Sequence, residues 1–277
     1  TVLIPATPGL TSQSERHTVC VSTQVGCAYG CAFCASGLAG FRRNLSVGEI
    51  VDQVLMVTRI GRTRGVCVGG ARGEPDPDFR VENVVVMGMG EPLANYDNLM
   101  KALHTLNAPW GLNIGARRIT VSTVGLAPQI RKFAREAMQV RLAVSLHAPN
   151  DEVRDRIMPV NRKHPVRDLM EACEYYARTK GRMLTFEYVL IEEVNDSLNL
   201  ADELSALARR VHAKVNLIPY NPVEGLEWRR PELKRCYAFA ARLKSRGVQA
   251  TLRIEKGADI AAACGQLRLQ AEGETSR

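Results

Sequence analysis

The stretch Thr18-Val-Cys-Val-Ser-Thr-Gln-Val-Gly-Cys27-Ala-Tyr-Gly-Cys31-Ala-Phe-Cys34 passes from a run of β-branched residues into a loop rich in glycine and cysteine. The run predicts a strand over residues 18–22. After the loop, Ser46 and Glu49 have the spacing at which an N-cap hydroxyl and a carboxylate satisfy each other's free backbone amides. This spacing predicts a helix over residues 47–58, so the chain begins with a strand, a loop and a helix.

The same order of strand, turn and amphipathic helix recurs along the chain. Such alternation predicts an α/β fold with a parallel sheet and right-handed crossovers, and about six units favour a partial (β/α)6 barrel with a C-terminal strand and loop extension. Residues 61–80, rich in glycine, proline and charge, are predicted to form a surface loop. The predicted strands are 18–22, 83–87, 118–122, 141–146, 184–190, 214–218 and 249–253, and the predicted helices are 47–58, 97–106, 128–137, 167–179, 197–211 and 231–246.

The composition is that of a globular protein. Of the 277 residues, 45% are apolar and 24% are charged, which excludes a disordered or fibrous chain. No run approaches the roughly 20 uncharged apolar residues that cross a bilayer, and no basic segment followed by an apolar one opens the chain. The eight cysteines are too few for a disulfide scaffold, which indicates thiols in a reducing compartment. We therefore expect a cytoplasmic protein without a membrane partner.

The charge balance is basic. Lys and Arg number 37 against 29 Asp and Glu, which gives a net charge of +8 and a pI near 9.2. This excess favours a polyanionic partner such as nucleic acid, although charge alone describes a merely basic enzyme equally well. Only 5% of the residues are aromatic, which argues against a broad stacking surface for single strands. Candidate phosphate contacts, each of which could instead lie on a solvated helix face, are Arg42, Arg43, Arg59, Arg62, Arg64, Arg117, Arg118, Arg229, Arg230, Lys234 and Arg235.

The loop after the first strand carries the clearest chemical signal. Cys27, Cys31 and Cys34 are spaced i, i+4 and i+7, so three thiolates can converge on one soft metal centre. A structural zinc site needs a fourth ligand, and neither Cys nor His occurs between residues 35 and 58. A 4Fe-4S cluster held by three thiolates instead leaves one iron open to a ligand. The spacing therefore favours a cluster over zinc.

Five unusual segments follow the ends of predicted strands. Besides the cysteine loop, they are residues 88–91, Ser122, residues 145–147 and Asn221. Because the βα loops of parallel α/β folds open at the carboxyl edge of the sheet, where ligands bind, these segments are expected to form one site. Taken singly, residues 88–90 could be only a tight turn, Ser122 a helix cap and His147 a satisfied loop histidine.

Together these motifs resemble one family of enzymes. The CxxxCxxC spacing is similar to that of radical S-adenosylmethionine (SAM) enzymes, whose fold is a partial barrel of the predicted kind. Seven further motifs, which span nearly the whole chain, resemble the RlmN family. They are Cys20-Val-Ser-Thr-Gln-Val-Gly-Cys27, Gly40-Phe-Arg-Arg-Asn-Leu45, Met87-Gly-Met-Gly-Glu-Pro-Leu93, Val121-Ser-Thr123, Ser145-Leu-His-Ala-Pro-Asn150, Asn216-Leu-Ile-Pro-Tyr-Asn-Pro222 and Ala263-Cys-Gly-Gln-Leu267.

The resemblance implies a role for each segment. Cys27, Cys31 and Cys34 would bind one 4Fe-4S cluster, and Cys264 and Cys20 would be the catalytic pair. By pattern alone, Cys20 is a core-like strand residue, and Cys173 and Cys236 are small core residues. The residues implied to bind SAM are Gly90, Glu91, Ser122, Ser145, Leu146, His147 and Asn221.

The implied reaction is methylation of carbon 2 of adenosine in RNA, with two SAM molecules per turnover. This carbon lies between two ring nitrogens and is too electron-poor to attack the methyl group of SAM directly. In the family, one SAM methylates Cys264, and a second is split reductively to a radical that activates the new methyl group for addition to the ring. Cys20 then attacks the sulfur of Cys264, which releases the product and leaves a disulfide.

The resemblance also implies partners and domain boundaries. The substrates would be 23S rRNA at adenosine 2503 and adenosine 37 of tRNA, with the target base extruded into the SAM pocket. A flavodoxin or ferredoxin system would donate electrons to a monomeric enzyme. Family members carry an N-terminal accessory domain whose last part holds a Glu proton acceptor. Residues 1–17 are therefore interpreted as a remnant of that accessory segment, and residues 18–277 as the methyltransferase core.

Three alternatives remain at this point. A related resistance enzyme methylates carbon 8 of the same adenosine, but Gln24-Val25-Gly26 and Glu91-Pro92 look more like the carbon-2 family. A zinc-stabilised RNA-binding module would need no catalysis. An inactive remnant of a methyltransferase would retain the fold without the activity.

Overall fold

The structure is a computed structural model that describes residues 1–4, 17–38, 40–65, 67, 68, 71, 72 and 74–253. Its strands are β1 Val2–Ile4, β2 Thr18–Cys20, β3 Gln24–Gly26, β4 Phe41–Asn44, β5 Cys67–Val68, β6 Ala71–Arg72, β7 Asn83–Val86, β8 Ile119–Thr123, β9 Arg141–Ser145, β10 Thr185–Leu190, β11 Lys214–Pro219 and β12 Ala250–Leu252. Its α-helices are α1 Ala35–Leu38, α2 Val47–Arg64, α3 Tyr96–Asn107, α4 Ala127–Ala134, α5 Asp151–Ile157, α6 Val166–Lys180, α7 Leu198–Arg210 and α8 Leu233–Ser245.

One sheet runs through the described residues in the order β1-β2-β7-β8-β9-β10-β11-β12. Every neighbouring pair is parallel except β1 with β2. The strands β1 and β12 lie at opposite edges and do not pair, so the described part of the chain forms an open barrel. The predicted partial barrel is confirmed, and each predicted strand and helix occurs with its ends shifted by a few residues.

The two faces of the sheet differ in chemistry because successive side chains of a strand point to opposite sides. Val19, Val84 and Val121 belong to the apolar core. The alternate positions of the central strands face the concave side of the open barrel and carry polar groups. They include Thr120 and Ser122 on β8, and also Ser145, Glu187 and Asn216, which the parallel registers of β9, β10 and β11 place side by side.

Helix α2 begins where its cap predicts. The Ser46 hydroxyl accepts a hydrogen bond from the Glu49 amide at 3.3 Å, and Glu49 Oε2 accepts one from the Ser46 amide at 2.8 Å. The helix continues to Arg64, so the prediction of a loop from residue 61 is wrong for its first part. Gly61 is buried against Phe79, and an added Cβ would lie 2.3 Å from the Phe79 ring. The Phe79 ring can pack this closely against the helix only because residue 61 has no side chain.

The short elements were not predicted from the sequence. Helix α5 has seven residues of which only Val153 and Ile157 are aliphatic, too few to show a helical period. Its N-cap is Asn150, whose Oδ1 accepts a hydrogen bond from the Val153 amide at 3.0 Å. Among the described helices, none combines the length and apolar character needed to cross a bilayer.

Candidate functional site

A cavity opens at the carboxyl ends of the parallel strands. The empty space in and around its mouth, which includes open solvent, is about 1060 Å³. The cysteine loop forms one side, and the ends of β7 to β11 form the rest. Its lining includes Cys27, Cys31, Phe33, Cys34, Gly88, Gly90, Glu91, Ser122, Ser145, His147, Glu187, Val189, Tyr220, Asn221 and Arg253.

The start of the cysteine loop depends on a glycine. Gly26 has a φ of 73°, and an added Cβ would lie 1.7 Å from the Gly40 carbonyl oxygen. That same oxygen accepts a hydrogen bond from the Cys27 amide at 3.0 Å. The hairpin of β3 and β4 therefore approaches closely enough to fix the first cysteine only because residue 26 has no side chain.

The middle of the cysteine loop is attached to two distant segments. The Ala32 amide donates to the carbonyl of Ile157, at the end of α5, at 2.9 Å. The Trp228 indole donates to the Ala32 carbonyl at 2.8 Å. Because distant segments satisfy both the backbone N–H and the backbone C=O of Ala32, the loop is held against the barrel between Cys31 and Cys34.

Cys27 and Cys31 are unfavourable as thiolates unless a cation compensates their charge. Burial raises the pKa of Cys31, the nearby thiols of Cys34 and Cys27 raise it further, and the charge of Arg154 lowers it. Burial also raises the pKa of Cys27. A positively charged metal centre reverses this preference, because a coordinating thiol is deprotonated by the metal.

The donor set fits an iron-sulfur cluster better than one metal ion. Within the described ranges, no group of three or more His, Cys, Asp or Glu could hold a single metal ion. Zinc requires all its ligands within about 2.3 Å of one point, whereas each thiolate of a cluster binds a different iron. Cys27, Cys31 and Cys34 line a common cavity wall, and these three residues would hold the cluster.

Gly90 and Glu91 lie at the end of β7, close to the cysteine loop. Gly90 has a φ of 96°, and an added Cβ would lie 2.4 Å from the Gln24 side chain. The buried Glu91 carboxylate accepts hydrogen bonds from the amides of Leu93 at 3.0 Å and Val124 at 2.7 Å. These hydrogen bonds lower the pKa of Glu91, but burial has the larger effect and raises it to about 7. The carboxylate is rigidly held and can accept a further hydrogen bond from a ligand in the cavity.

Ser122 and Ser145 are neighbours on β8 and β9, with their hydroxyl oxygens 3.5 Å apart. The next strand-end residue, His147, has a φ of 56°, and its Nδ1 accepts a hydrogen bond from the Val189 amide at 3.0 Å. Burial and, to a lesser extent, the charge of Arg154 together lower the pKa of His147 to about 3. The imidazole is therefore neutral and serves as a polar wall rather than as an acid.

Asn221 follows β11, and the orientation of its side-chain amide is set by Arg230, which does not line the cavity. Its Oδ1 accepts a hydrogen bond from Arg230 Nη2 at 3.0 Å. Its Nδ2 is buried and, within the described part of the chain, has no hydrogen-bond partner. An amide nitrogen without an acceptor at a cavity wall is suited to bind an anionic or carbonyl oxygen of a ligand.

Glu187 was missed by the sequence predictions. It lies on β10 beside Ser145, and its Oε1 accepts a hydrogen bond from Asn216 Nδ2 at 3.0 Å. Its Oε2 is buried without a partner among the described residues. Burial raises its pKa, while Asn216 and the charge of Arg253 lower it. The available signal was a carboxylate in the middle of an otherwise apolar and aromatic strand, Thr185–Leu190.

The structure brings most of the predicted site residues together, with three exceptions. Leu146 does not line the cavity, because its side chain is wholly buried in the apolar core. Cys20 is buried on β2 beside Val85, outside the cavity lining. Cys264 lies outside the described residues. The nine that line the cavity are Cys27, Cys31, Cys34, Gly90, Glu91, Ser122, Ser145, His147 and Asn221.

Several of the candidate RNA-binding cations have acidic neighbours. Arg43 forms a two-bonded ion pair with Glu49, with its shorter contact at 2.8 Å. Arg117 and Arg118 are exposed near the start of β8. Two further pairs are Arg229 with Glu192 at 3.6 Å and Arg235 with Asp196 at 3.5 Å.

Comparison with known proteins agrees with this arrangement. The model of the Radical SAM superfamily matches residues 21–204. A probable dual-specificity RNA methyltransferase RlmN 3 from Opitutus terrae is 53% identical over 99% of this chain and 72% of its own length. A probable dual-specificity RNA methyltransferase RlmN from Akkermansia muciniphila is 50% identical over the same shares.

Solved structures give the same result for the fold. A radical SAM methyltransferase from Sphaerobacter thermophilus superposes with a TM-score of 0.85 at 44% identity, covering 96% of this chain and 81% of that one. SuiB from Streptococcus suis shares the fold at a TM-score of 0.59 and 14% identity, covering 86% of this chain and 49% of that one. With the cavity and its cysteine loop, these matches place the chain in the radical SAM superfamily and, within it, in the RlmN family of RNA methyltransferases.

Proposed function

We propose that this enzyme methylates carbon 2 of adenosine, at position 2503 of 23S rRNA and at position 37 of tRNA. The observation that carries the proposal is the convergence of three cysteines with Glu91 and Asn221 on one cavity at the carboxyl edge of the barrel. The names of the related proteins, which describe dual-specificity RNA methyltransferases, support it. The sequence at Gln24-Val25-Gly26 and Glu91-Pro92 favours carbon 2 over carbon 8.

A radical SAM enzyme uses a 4Fe-4S cluster and SAM, which together supply a radical able to remove hydrogen from a methyl group. The residues of the cavity are suited to bind and orient SAM. Glu91 can accept a hydrogen bond from its ammonium group, and Asn221 Nδ2 can donate one to its carboxylate. Glu187 Oε2 can accept one from a ribose hydroxyl. Phe33 and His147, which meet edge to face at 4.8 Å, restrict access of water to this side.

In this proposal, Cys264 carries the methyl group to the adenine ring and Cys20 releases the product by forming a disulfide with Cys264. Both roles are supported by the family resemblance. The electron donor is a flavodoxin or ferredoxin system, and the enzyme works as a monomer in the cytoplasm. The RNA binds through phosphate contacts of exposed Arg and Lys, so its affinity should fall steeply with added salt.

The experiment uses the full chain, purified and reconstituted with iron and sulfide without oxygen. We expect about four irons per chain, release of 5'-deoxyadenosine from SAM on reduction, and 2-methyladenosine in a digested rRNA fragment measured by mass spectrometry. Cys31→Ser should lose iron and both products. Cys173→Ala is the matched control, because Cys173 is buried on α6 and does not line the cavity, and it should keep all three.

The outcomes separate the competing functions. A colourless protein with one zinc per chain would support an RNA-binding module and overturn the proposal. The isomer 8-methyladenosine would assign the chain to the carbon-8 reaction. SAM cleavage without any methylated RNA would identify an inactive remnant.

A further inference from the structure

Arg154 on α5 is wholly buried, and within the described ranges no carboxylate forms an ion pair with it. It is the largest of the wholly buried side chains in the described residues, and no ion pair of Arg154 with Asp or Glu occurs there. A buried charge is costly unless an opposite charge compensates it. Its hydrogen bonds instead go to neutral oxygens, those of Val124 at 2.7 Å, Asn161 at 2.8 Å, Leu146 at 3.0 Å, and Ser145 and His164 at 3.4 Å.

The position of Arg154 points to the group that compensates its charge. Burial lowers the pKa of Arg154 to about 10, and the nearby Cys31 opposes this lowering more strongly than Asp151 or Asp155 does. The helix that carries Arg154 also accepts the hydrogen bond from Ala32, between Cys31 and Cys34, through the Ile157 carbonyl. The guanidinium therefore lies near the cysteine loop, and Arg154 is not among the residues that line the cavity.

We propose that Arg154 is the counter-ion of the thiolate-bound cluster and raises its reduction potential. The inference rests on the proposed cluster at Cys27, Cys31 and Cys34. Arg154 is a positioning residue in this role, because it acts on the cluster through the field of its charge and touches neither SAM nor RNA. It also holds the carbonyls at the ends of β8 and β9, so the same side chain ties the SAM-binding loops to the cluster loop.

The direction of the effect follows from charge balance. Reduction adds one electron to the cluster from a one-electron donor, and no proton accompanies it, so the cluster becomes more negative by one charge. A fixed cation in a buried position stabilises the more negative form, because the attraction is weakly screened there. Loss of the cation should therefore make the cluster harder to reduce.

The test measures the reduced fraction of the reconstituted cluster by electron paramagnetic resonance, with dithionite and mediators at a series of fixed potentials and without SAM. Arg154→Met removes the charge and should lower the ratio of reduced to oxidised cluster about tenfold at a given potential, equivalent to about 59 mV for one electron. Arg154→Lys keeps the charge and should stay near the wild type. Arg178→Met, which removes an exposed cation on α6, is the control and should change nothing.

A fourth variant covers the case in which Arg154→Met does not fold. Asp155 accepts a hydrogen bond from Asn161 at 2.7 Å, and Asp155→Asn keeps an acceptor there while removing a negative charge close to Arg154. Its reduced fraction should rise, opposite to the effect of Arg154→Met. Urea unfolding of the wild type and of each variant without the cluster measures how much each side chain contributes to the free energy of unfolding.

The result that overturns the inference is an unchanged potential in both Arg154→Met, where it folds, and Asp155→Asn. Lower unfolding stability with unchanged potentials would assign Arg154 to a structural role alone. Failure of the wild type to bind any cluster would instead count against the proposed function, so the two failures are distinguishable.

Discussion

Gly90 shows how the absence of one side chain shapes the site. Its φ of 96° is unfavourable for other residues, and an added Cβ would collide with Gln24 at 2.4 Å. Gln24 cannot move freely, because its Oε1 accepts the Glu91 amide at 2.8 Å and its Nε2 donates to Asn44 at 2.8 Å. The close approach of β3 to the end of β7 therefore requires glycine.

The first prediction concerns this glycine. Gly90→Ala should destabilise the protein by at least about 2 kcal/mol through strain and overpacking, and should weaken SAM binding. Gly48 is the matched control, since it lies within α2 and an added Cβ meets nothing within 4 Å. Gly48→Ala should be neutral or stabilise by up to about 1 kcal/mol. Both variants are measured by urea unfolding and by equilibrium binding of SAM. Equal changes in Gly90→Ala and Gly48→Ala would contradict the role given to Gly90.

The second prediction uses the buried His147. Its pKa is lowered by burial to about 3 from 6.5, so the unfolded chain binds a proton that the folded chain does not between these values. Stability from this group is complete above pH 6.5 and falls as the pH falls towards 3, by up to about 2 kcal/mol between pH 6.5 and pH 5.

The matched variant is His147→Asn. Asparagine keeps an acceptor for the Val189 amide, tolerates the positive φ and does not titrate. Urea unfolding at pH 7.5 and pH 5 should show a larger loss of stability in the wild type than in the variant. Equal losses would mean that the histidine is protonated in the folded protein.

The third prediction tests Glu187. In Glu187→Gln, the remaining side-chain oxygen can still accept the hydrogen bond from Asn216. The buried Oε2, however, is replaced by an NH₂ group, which donates instead of accepting. We expect SAM to bind about 10-fold to 100-fold more weakly, the equivalent of about 1.5–3 kcal/mol for a hydrogen bond to a charged group. Thr185→Ser, two residues earlier on the same face and outside the cavity lining, is the control. Unchanged SAM affinity in the Gln variant would remove Glu187 from the site.

At the scale of elements, α2 fixes the far end of the segment that contains the cysteine loop. Its capping box satisfies two amides at the first turn, and Arg43 on β4 joins the same Glu49. The helix packs on the sheet through Ile50, Val54 and Val57, which belong to the apolar core. The hairpin β3–β4 and the helix thus meet at a single carboxylate.

The fourth prediction removes this cap. Ser46→Ala should lower the free energy of unfolding by about 1 kcal/mol, with a range of about 0.5–2, because the Glu49 amide loses its acceptor. The iron content after reconstitution should not change, because no cysteine contact is altered. Ser245→Ala, an exposed serine at the end of α8, is the control and should stay within about 0.5 kcal/mol of the wild type.

At the scale of the whole molecule, the site is closed by contacts between distant parts of the chain. Trp228 follows β11, and its indole reaches the cysteine loop at Ala32, 196 residues away in sequence. Arg230, in the same segment, orients Asn221. One segment near the end of the barrel therefore acts on both the cluster loop and the predicted SAM ligand.

The fifth prediction tests whether the hydrogen bond from Trp228 to Ala32 stabilises the cysteine loop. Trp228→Phe keeps an aromatic ring but loses the indole donor, at a cost of about 1 kcal/mol, so release of iron to a chelator should become about fivefold faster. Trp110 is 80% exposed, and Trp110→Phe should leave the rate unchanged. A rate in the Trp228 variant equal to that of the wild type would show that the indole does not stabilise the loop.

The sequence alone was sufficient for the order of the parallel strands and the longer helices, the capped start of α2, the partial barrel and the family. The elements, the cap and the barrel depend on backbone periodicity and on the spacing of neighbouring residues, which are local and can be read along the chain. The family was indicated by the resemblance of the seven motifs to known proteins. The convergence of the strand-end motifs could also be anticipated, because parallel strands present their carboxyl ends at one edge.

Only the tertiary structure decided which groups in the site remain without partners. The pairing of β10 with β9 and β11 placed Glu187 between Ser145 and Asn216, and Arg230 turned the Asn221 amide towards the cavity. It also placed the Leu146 side chain in the core and buried Arg154 near the cysteine loop. Burial, hydrogen-bond satisfaction and pKa depend on residues that are distant in sequence and adjacent in space, so no local pattern could contain them.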